Sequence, residues 1–119
     1  MTKLATCLVV VCIILLPLSA AAQGVAVWYL PHPDDETIGM ANAIYESVLA
    51  GNTNYLVYFS KGKNSLARHN LKGPDGSVFR LSPEEFGQAR VKETLASLAV
   101  LGIGPENVLF FDYPDGAIP

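Results

Sequence analysis

One short segment of the chain, residues 31–36 (PHPDDE), places an imidazole beside consecutive carboxylates. His32 and Asp35 are close enough in sequence for a single turn of backbone to bring both to one cation, and Pro33 stiffens that turn. Asp34 would lie beside the cation, where a carboxylate can take a proton from an attacking water and pass it to a leaving amine. The spacing predicts a metal site with His32 and Asp35 as ligands and Asp34 as general base.

The charge on this segment favours the same prediction. Asp34, Asp35 and Glu36 are consecutive acids that repel one another. A divalent cation offsets that repulsion, whereas a helix N-terminus supplies only about half a unit charge. In the alternative interpretation the acids only cap a helix and His32 is a turn residue. The His-Pro pair favours the metal site, and imidazole with carboxylates suits Zn²⁺, with another divalent ion left open.

Strands and helices alternate along the rest of the chain. Three apolar runs rich in β-branched and aromatic residues predict buried strands, at residues 25–30, 54–59 and 107–111. Apolar residues at helical spacing predict a helix after PHPDDE that stops near Gly51. Ser82-Pro83-Glu84-Glu85 predicts the start of a second helix, which ends at Gly102. This order predicts an α/β fold with a parallel sheet.

In a parallel sheet, ligands bind beyond the carboxyl ends of the strands. PHPDDE, the loop 61–81 and the turn 112–116 each follow one of the three predicted strands. The loop holds most of the basic residues, and a solvated surface is favoured over phosphate binding as their role. We therefore expect the candidate site where these three segments meet.

Length and composition narrow the function classes. The chain has 119 residues, enough for one small domain, and its net charge of −3 gives no electrostatic reason to expect nucleic acid as a partner. Both cysteines, Cys7 and Cys12, lie in an apolar N-terminal run. Outside that run, a metal must be bound by His, Asp or Glu.

The first 22 residues are typical of a signal peptide, because a lone Lys3 precedes an apolar run and small residues precede Gln23. This organisation predicts a single domain over residues 23–119 in a secreted or extracytoplasmic protein. The alternative is a membrane anchor through residues 4–22, and membrane contact is expected only if the segment is not cleaved.

Residues 25–116 resemble the LmbE/PIG-L family of zinc-dependent sugar de-N-acetylases. Four elements carry the resemblance in the family's order: PHPDDE, Arg90-x-x-Glu93, Leu101-Gly102 and Tyr113-Pro114-Asp115-Gly116. The resemblance implies a Rossmann-like fold, in which His32 and Asp35 ligate zinc and Asp34 activates water. It implies that Glu36 orients the loop and the helix start.

The resemblance also implies that Arg90 and Asp115 contact sugar hydroxyls. From the residues alone, two simpler interpretations stay open. Arg90 could pair with Glu93 on a helix surface, and Asp115 could belong only to a turn.

The chain departs from the family in one respect. The family takes its third zinc ligand from a histidine well beyond the third strand, and this chain holds no histidine at that position. His69 lies in the basic loop and is expected to face solvent. The sequence is therefore expected to be an N-terminal fragment, with about three strands, two helices and an incomplete zinc site.

The resemblance implies a hydrolase that removes the acetyl group from an N-acetylglucosamine-containing sugar or glycoconjugate and releases acetate. Two alternatives remain. The same metal site could act on another N-acyl substrate, or the chain could be a non-catalytic sugar-binding module. The sequence leaves the oligomeric state open.

Overall fold

The computed structural model describes residues 23–116, so the predicted signal peptide lies outside the described residues. In chain order the helices and strands are β1 (Val25–Leu30), α1 (Asp35–Ile38), α2 (Ala41–Leu49), β2 (Thr53–Tyr58), β3 (Leu71–Lys72), β4 (Val78–Phe79), α3 (Pro83–Val100) and β5 (Val108–Phe110). Two short 3₁₀ turns span Leu66–His69 and Pro105–Asn107. The order confirms the predicted α/β fold.

Three strands form a parallel sheet in the order β1-β2-β5. The register places Leu30 beside Tyr58, and Tyr58 beside Phe110. All three strands therefore end at one edge, and the segments that follow them meet there as the sequence predicts. Parallel strands need crossover connections. In chain order, α1 and α2 belong to the connection from β1 to β2, and α3 belongs to the connection from β2 to β5.

The core lies between one face of the sheet and the helices α2 and α3. Its buried apolar side chains form one cluster: Leu30, Ile44, Leu56, Tyr58, Leu98 and Ile103. The opposite face is exposed among the described residues, and Tyr29, Phe59 and Phe111 stack across it with centroid distances of 6.2 and 6.4 Å. Buried residues of β1 and β2 thus alternate with exposed ones, as the two-residue period of a strand requires.

The start of α3 confirms the predicted capping box. The Ser82 hydroxyl accepts a hydrogen bond from the backbone N–H of Glu85, and the Glu85 carboxylate accepts one from the backbone N–H of Ser82. Pro83 occupies the first helical position, where no N–H donor is needed. The helix ends before Gly102, which adopts φ 77°. None of the helices within residues 23–116 has the length and apolar character needed to cross a membrane.

Two segments differ from the simplest prediction. The first helical region is divided at Gly39 and Met40, which leaves α1 as a single turn after PHPDDE. The loop 61–81 contains an antiparallel hairpin of β3 and β4, in which Leu71 pairs with Phe79. Each strand of the hairpin is too short to show an alternating pattern in the sequence.

Candidate functional site

The PHPDDE segment forms a tight turn between β1 and α1. Asp34 has φ 101° and is the one non-glycine residue in the described chain with positive φ. Its carbonyl accepts hydrogen bonds from the N–H groups of Thr37 and Ile38, and its own N–H donates to the Glu36 carboxylate at 2.9 Å. Aspartate tolerates this left-handed conformation better than most residues. The turn therefore presents the side chain of Asp34 to solvent beside its two neighbours in the motif.

The side chains of His32, Asp34 and Asp35 converge at this turn. The His32 Nδ1 lies 3.2 Å from the Asp34 Oδ1 and 3.0 Å from the Asp35 Oδ2. The same Asp35 oxygen accepts a hydrogen bond from the His32 backbone N–H. The predicted metal ligands are thus brought together, and the predicted base lies within the same cluster.

These three residues fit a metal ion by their geometry and their donor chemistry. One ligand atom from each lies within 4.8 Å of the others, which is close enough for all three to face a single ion. Within the described chain this is the one such group of three, and His69 is not a member. One nitrogen and carboxylate oxygens are a donor set that Zn²⁺ and related divalent cations accept.

Arg90 of α3 contacts the PHPDDE turn through its guanidinium. Its guanidinium forms an ion pair with the Asp34 Oδ2 at 2.7 Å and also donates to the Pro33 and Gly62 carbonyls. The predicted alternative, an ion pair between Arg90 and Glu93, is not among the ion pairs of the described residues. Because the Arg90 side chain is only 11% exposed, these bonds are shielded from water. Arg90 therefore fixes one carboxylate oxygen of Asp34 and leaves the other facing His32.

Asp115 ties the turn after β5 to the segment after β2. Its carboxylate accepts from the Ser60 hydroxyl at 2.5 Å and from the Asn64 backbone N–H at 2.7 Å. Burial raises the pKa of Asp115, but these hydrogen bonds and the nearby positive charges outweigh burial and hold the pKa below its usual value. Asp115 is a structural link at the edge of the site as well as part of its wall.

We expect Ser60→Ala to lower the free energy of unfolding by about 1–3 kcal/mol, because it removes a hydrogen bond to Asp115 and leaves the buried N–H of Gly62 unpaired. The pKa of Asp115 is lowered in the folded protein, so its contribution to stability is present above the unfolded pKa and is lost as pH falls through the folded pKa. The loss of unfolding free energy caused by Ser60→Ala should therefore be larger near pH 7 than near pH 3, as measured by urea unfolding.

Ser97→Ala is a matched control for this prediction. Ser97 lies on an exposed position of α3 and bonds only to the Thr94 carbonyl of its own helix. Its replacement should change stability by less than about 0.5 kcal/mol. Equal effects of the two substitutions, or no effect of either, would contradict the role given to Ser60.

Two buried side chains, those of Glu36 and Tyr58, lie beside the turn. Glu36 is 6% exposed, and its carboxylate accepts the Asp34 backbone N–H. Tyr58 of β2 is fully buried, and burial together with the negative charge of Glu36 raises the pKa of its hydroxyl, which stays protonated. Glu36 thus contacts the backbone of the turn, as expected, and is not one of the three converging ligand residues.

Lysines at the start of the basic loop are paired with acids. Lys63 lies 2.9 Å from Asp112 and 3.3 Å from Glu84, and Lys61 lies 3.8 Å from Asp112. The hydrogen bond to Asp112 raises the pKa of Lys63, and the same bond lowers the pKa of Asp112. This pairing favours a surface role for these two lysines over phosphate binding.

A polar cavity of about 480 Å³ opens over the cluster. Its walls include His32, Asp34, Asn64, Arg90 and Asp115. Its volume lies within the range of small-molecule sites, and imidazole, carboxylate, amide and guanidinium groups can all bond to hydroxyls. Both residues predicted to contact a sugar, Arg90 and Asp115, therefore line the same cavity as the predicted base.

Two residues that the sequence did not single out shape this cavity. Ser60 is buried and links Asp115 to the Gly62 N–H, which lies 3.2 Å from the Ser60 hydroxyl. Gly62 adopts φ 64°, and a Cβ at this position would collide with the Arg90 guanidinium. The one available signal was their place directly after the second predicted strand, because the partners of both residues are distant in sequence.

The comparison with protein families tests the resemblance that the motif suggests. Residues 27–119 match the sequence profile of the family described as PIG-L, GlcNAc-PI de-N-acetylase. The chain belongs to this family. The PIG-L match includes all the residues that converge at the site, from His32 to Asp115. No curated protein sequence matches the chain at a significant level.

A solved structure supports the fold independently. The chain superposes on N,N'-diacetylchitobiose deacetylase from Pyrococcus horikoshii, in complex with its inhibitor MPG, with a TM-score of 0.64 and 24% sequence identity. The match covers 82% of this chain and 32% of the deacetylase chain. The chain of this PIG-L family member thus spans about a third of the length of that structure, and the likeness confirms a Rossmann-like α/β fold.

Proposed function

We propose that the protein hydrolyses the N-acetyl group of an N-acetylglucosamine-containing sugar or glycoconjugate and releases acetate and a free amine. One observation carries the proposal: His32, Asp34 and Asp35 converge at the carboxyl edge of the sheet in a chain of the PIG-L family. A solved structure with this fold is by its name an N,N'-diacetylchitobiose deacetylase.

In this proposal, His32, Asp34 and Asp35 have different roles in amide hydrolysis. His32 and Asp35 would hold a divalent cation, most suitably Zn²⁺, which supplies Lewis acidity toward the acetyl carbonyl and water when it is bound. Asp34 accepts a proton from the attacking water, whose oxygen adds to the acetyl carbon. Asp34 then delivers that proton to the amine as the C–N bond breaks. The ion pair with Arg90 keeps Asp34 oriented for both transfers.

The polar cavity supplies the sugar-binding surface in this proposal. Arg90 and Asp115 lie on its wall, and guanidinium and carboxylate groups can donate to or accept from the hydroxyl groups of a neutral substrate. A net charge of −3 favours a neutral substrate over a strongly anionic one.

Acetate release from defined substrates tests the proposal. We expect the purified protein to release acetate and an equal amount of amine from an N-acetylglucosamine glycoside, and much less acetate from an N-acetyl-lysine peptide. Preferential cleavage of the peptide would favour the alternative N-acyl hydrolase. Sugar binding without any acetate release from the metal-loaded protein would favour a binding module.

Arg90→Lys should lower kcat for the glycoside by about 10–100-fold, the usual cost of losing a residue that orients a metal-site group. Lysine keeps the positive charge, but its ammonium group lacks the planar set of N–H donors with which Arg90 contacts Asp34, Pro33 and Gly62. Lys92→Ala, on an exposed position of the same helix, is the control and should keep full activity. Unchanged kcat in Arg90→Lys would remove Arg90 from the proposed machinery.

A further inference from the structure

A second cavity lies beside the polar one, between the β3–β4 hairpin and α3. It has a volume of about 510 Å³, and Lys72 and Glu93 contribute to its wall. Much of the wall is nevertheless apolar: Ala67, Leu71, Phe79, Leu81, Phe86 and Ala89. These side chains come from both elements, so the cavity depends on the way the hairpin folds over α3. Neither the family match nor the likeness to the solved structure assigns a role to it.

The two cavities adjoin each other at the proposed catalytic group. Asp34, Ser65 and Arg90 line both of them. The Arg90 guanidinium also lies over the Phe86 ring, 5.7 Å from its centroid. Arg90 thus contacts both Asp34 and a residue of the apolar wall. A molecule that binds at Asp34 in the polar cavity is therefore placed beside the apolar one.

The hairpin is held in place before any ligand binds. The Leu81 N–H donates to the Arg68 carbonyl, and the Arg68 guanidinium donates to the Leu81 carbonyl at 3.2 Å. At the other end, the Gly73 N–H donates to the Ser77 carbonyl and closes the turn. A wall fixed in this way loses little conformational entropy on binding, which favours a specific subsite.

We infer that the second cavity binds an apolar aglycone carried by the N-acetylglucosamine substrate. The inference rests on the proposed function, because it places the sugar in the polar cavity and its acetamide at Asp34. An alkyl or aryl group fits the chemistry of the wall, since four aliphatic and two aromatic side chains offer contact area.

Kinetics on β-glycosides of N-acetylglucosamine test this inference, with the methyl glycoside as reference. The octyl and phenyl glycosides, used below micelle-forming concentrations, supply an alkyl arm and an aryl arm. We expect at least one of them to give kcat/KM about tenfold above the methyl glycoside, because several buried methylene or ring carbons add to binding. Equal kcat/KM for all three glycosides would overturn the inference.

Two neighbouring positions of β4 provide a matched pair of variants. Phe79 lines the apolar cavity, whereas Val78 is exposed and is not part of its wall. Phe79→Ser should reduce the octyl-to-methyl ratio of kcat/KM to near one, and Val78→Ser should keep the ratio of the unaltered protein. Loss of the ratio in both variants, or in neither, would contradict a subsite at Phe79.

Binding measured by calorimetry separates this inference from the proposed function. Octyl β-N-acetylglucosaminide should bind about tenfold tighter than the methyl glycoside even to a protein that releases no acetate. Tighter octyl binding without acetate release would overturn the proposed reaction and keep the apolar subsite. Acetate release without a difference in affinity or kcat/KM would overturn the subsite and keep the reaction.

Discussion

Asp34→Asn is expected to lower acetate release from an N-acetylglucosamine glycoside by about 10²–10⁴-fold, the usual contribution of a general base. The amide has the shape of the carboxylate but cannot accept the proton of the attacking water. Asparagine tolerates the left-handed backbone of this position, so the turn should be kept. Initial rates at saturating substrate, with the acetate quantified, measure the effect.

The control for Asp34→Asn is the stability of the same variant. Its neutral amide still accepts a hydrogen bond from Arg90, and removing one of three consecutive negative charges relieves their repulsion, which offsets the lost ion pair. The unfolding midpoint should therefore change little. A folded, metal-binding variant with undiminished rates would exclude Asp34 as the base. An unfolded variant would instead show that Asp34 is needed for the structure of the turn.

His32→Ala should remove both the bound metal and the activity. Loss of a residue that only orients a ligand lowers metal affinity or activity by roughly 10–100-fold. Loss of the ligand itself should lower them further, because a metal site has few donors. Removing the imidazole also deprives Asp34 and Asp35 of the side chain that contacts both of them. Metal content by elemental analysis and acetate release should fall together.

His69→Ala is the matched control, because His69 lies in a 3₁₀ turn and is not part of the converging group. It should keep the metal content and the rate of the unaltered protein. A His69→Ala variant that loses metal while His32→Ala keeps it would reverse the assignment of the ligand.

The sequence predicted the features of the fold that depend on local patterns. The strand Val25–Leu30 was predicted with the bounds that the structure has, and the capping box of Ser82 and Glu85 is present as predicted. Such signals arise from neighbouring residues, so one sequence suffices to find them. The meeting of three segments at the carboxyl edge followed from the alternation of strands and helices.

Contacts between distant residues were beyond the same reasoning. The ion pair between Arg90 and Asp34 joins α3 to the turn after β1, and its geometry depends on how the helix packs. The positive φ of Asp34 depends likewise on the ion pair with Arg90, in addition to the local hydrogen bond from its N–H to Glu36. For this reason the sequence offered Arg90 as a sugar contact or as a partner of Glu93, and the structure adds a role in holding Asp34.

The central claim is that a divalent cation held by His32 and Asp35 is required for the reaction at Asp34. Its most direct test measures acetate release by one preparation before chelation, after removal of metal, and after addition of Zn²⁺. The account predicts that chelation abolishes release and that about one ion per chain restores it. Full acetate release by protein shown to contain no metal would contradict the account.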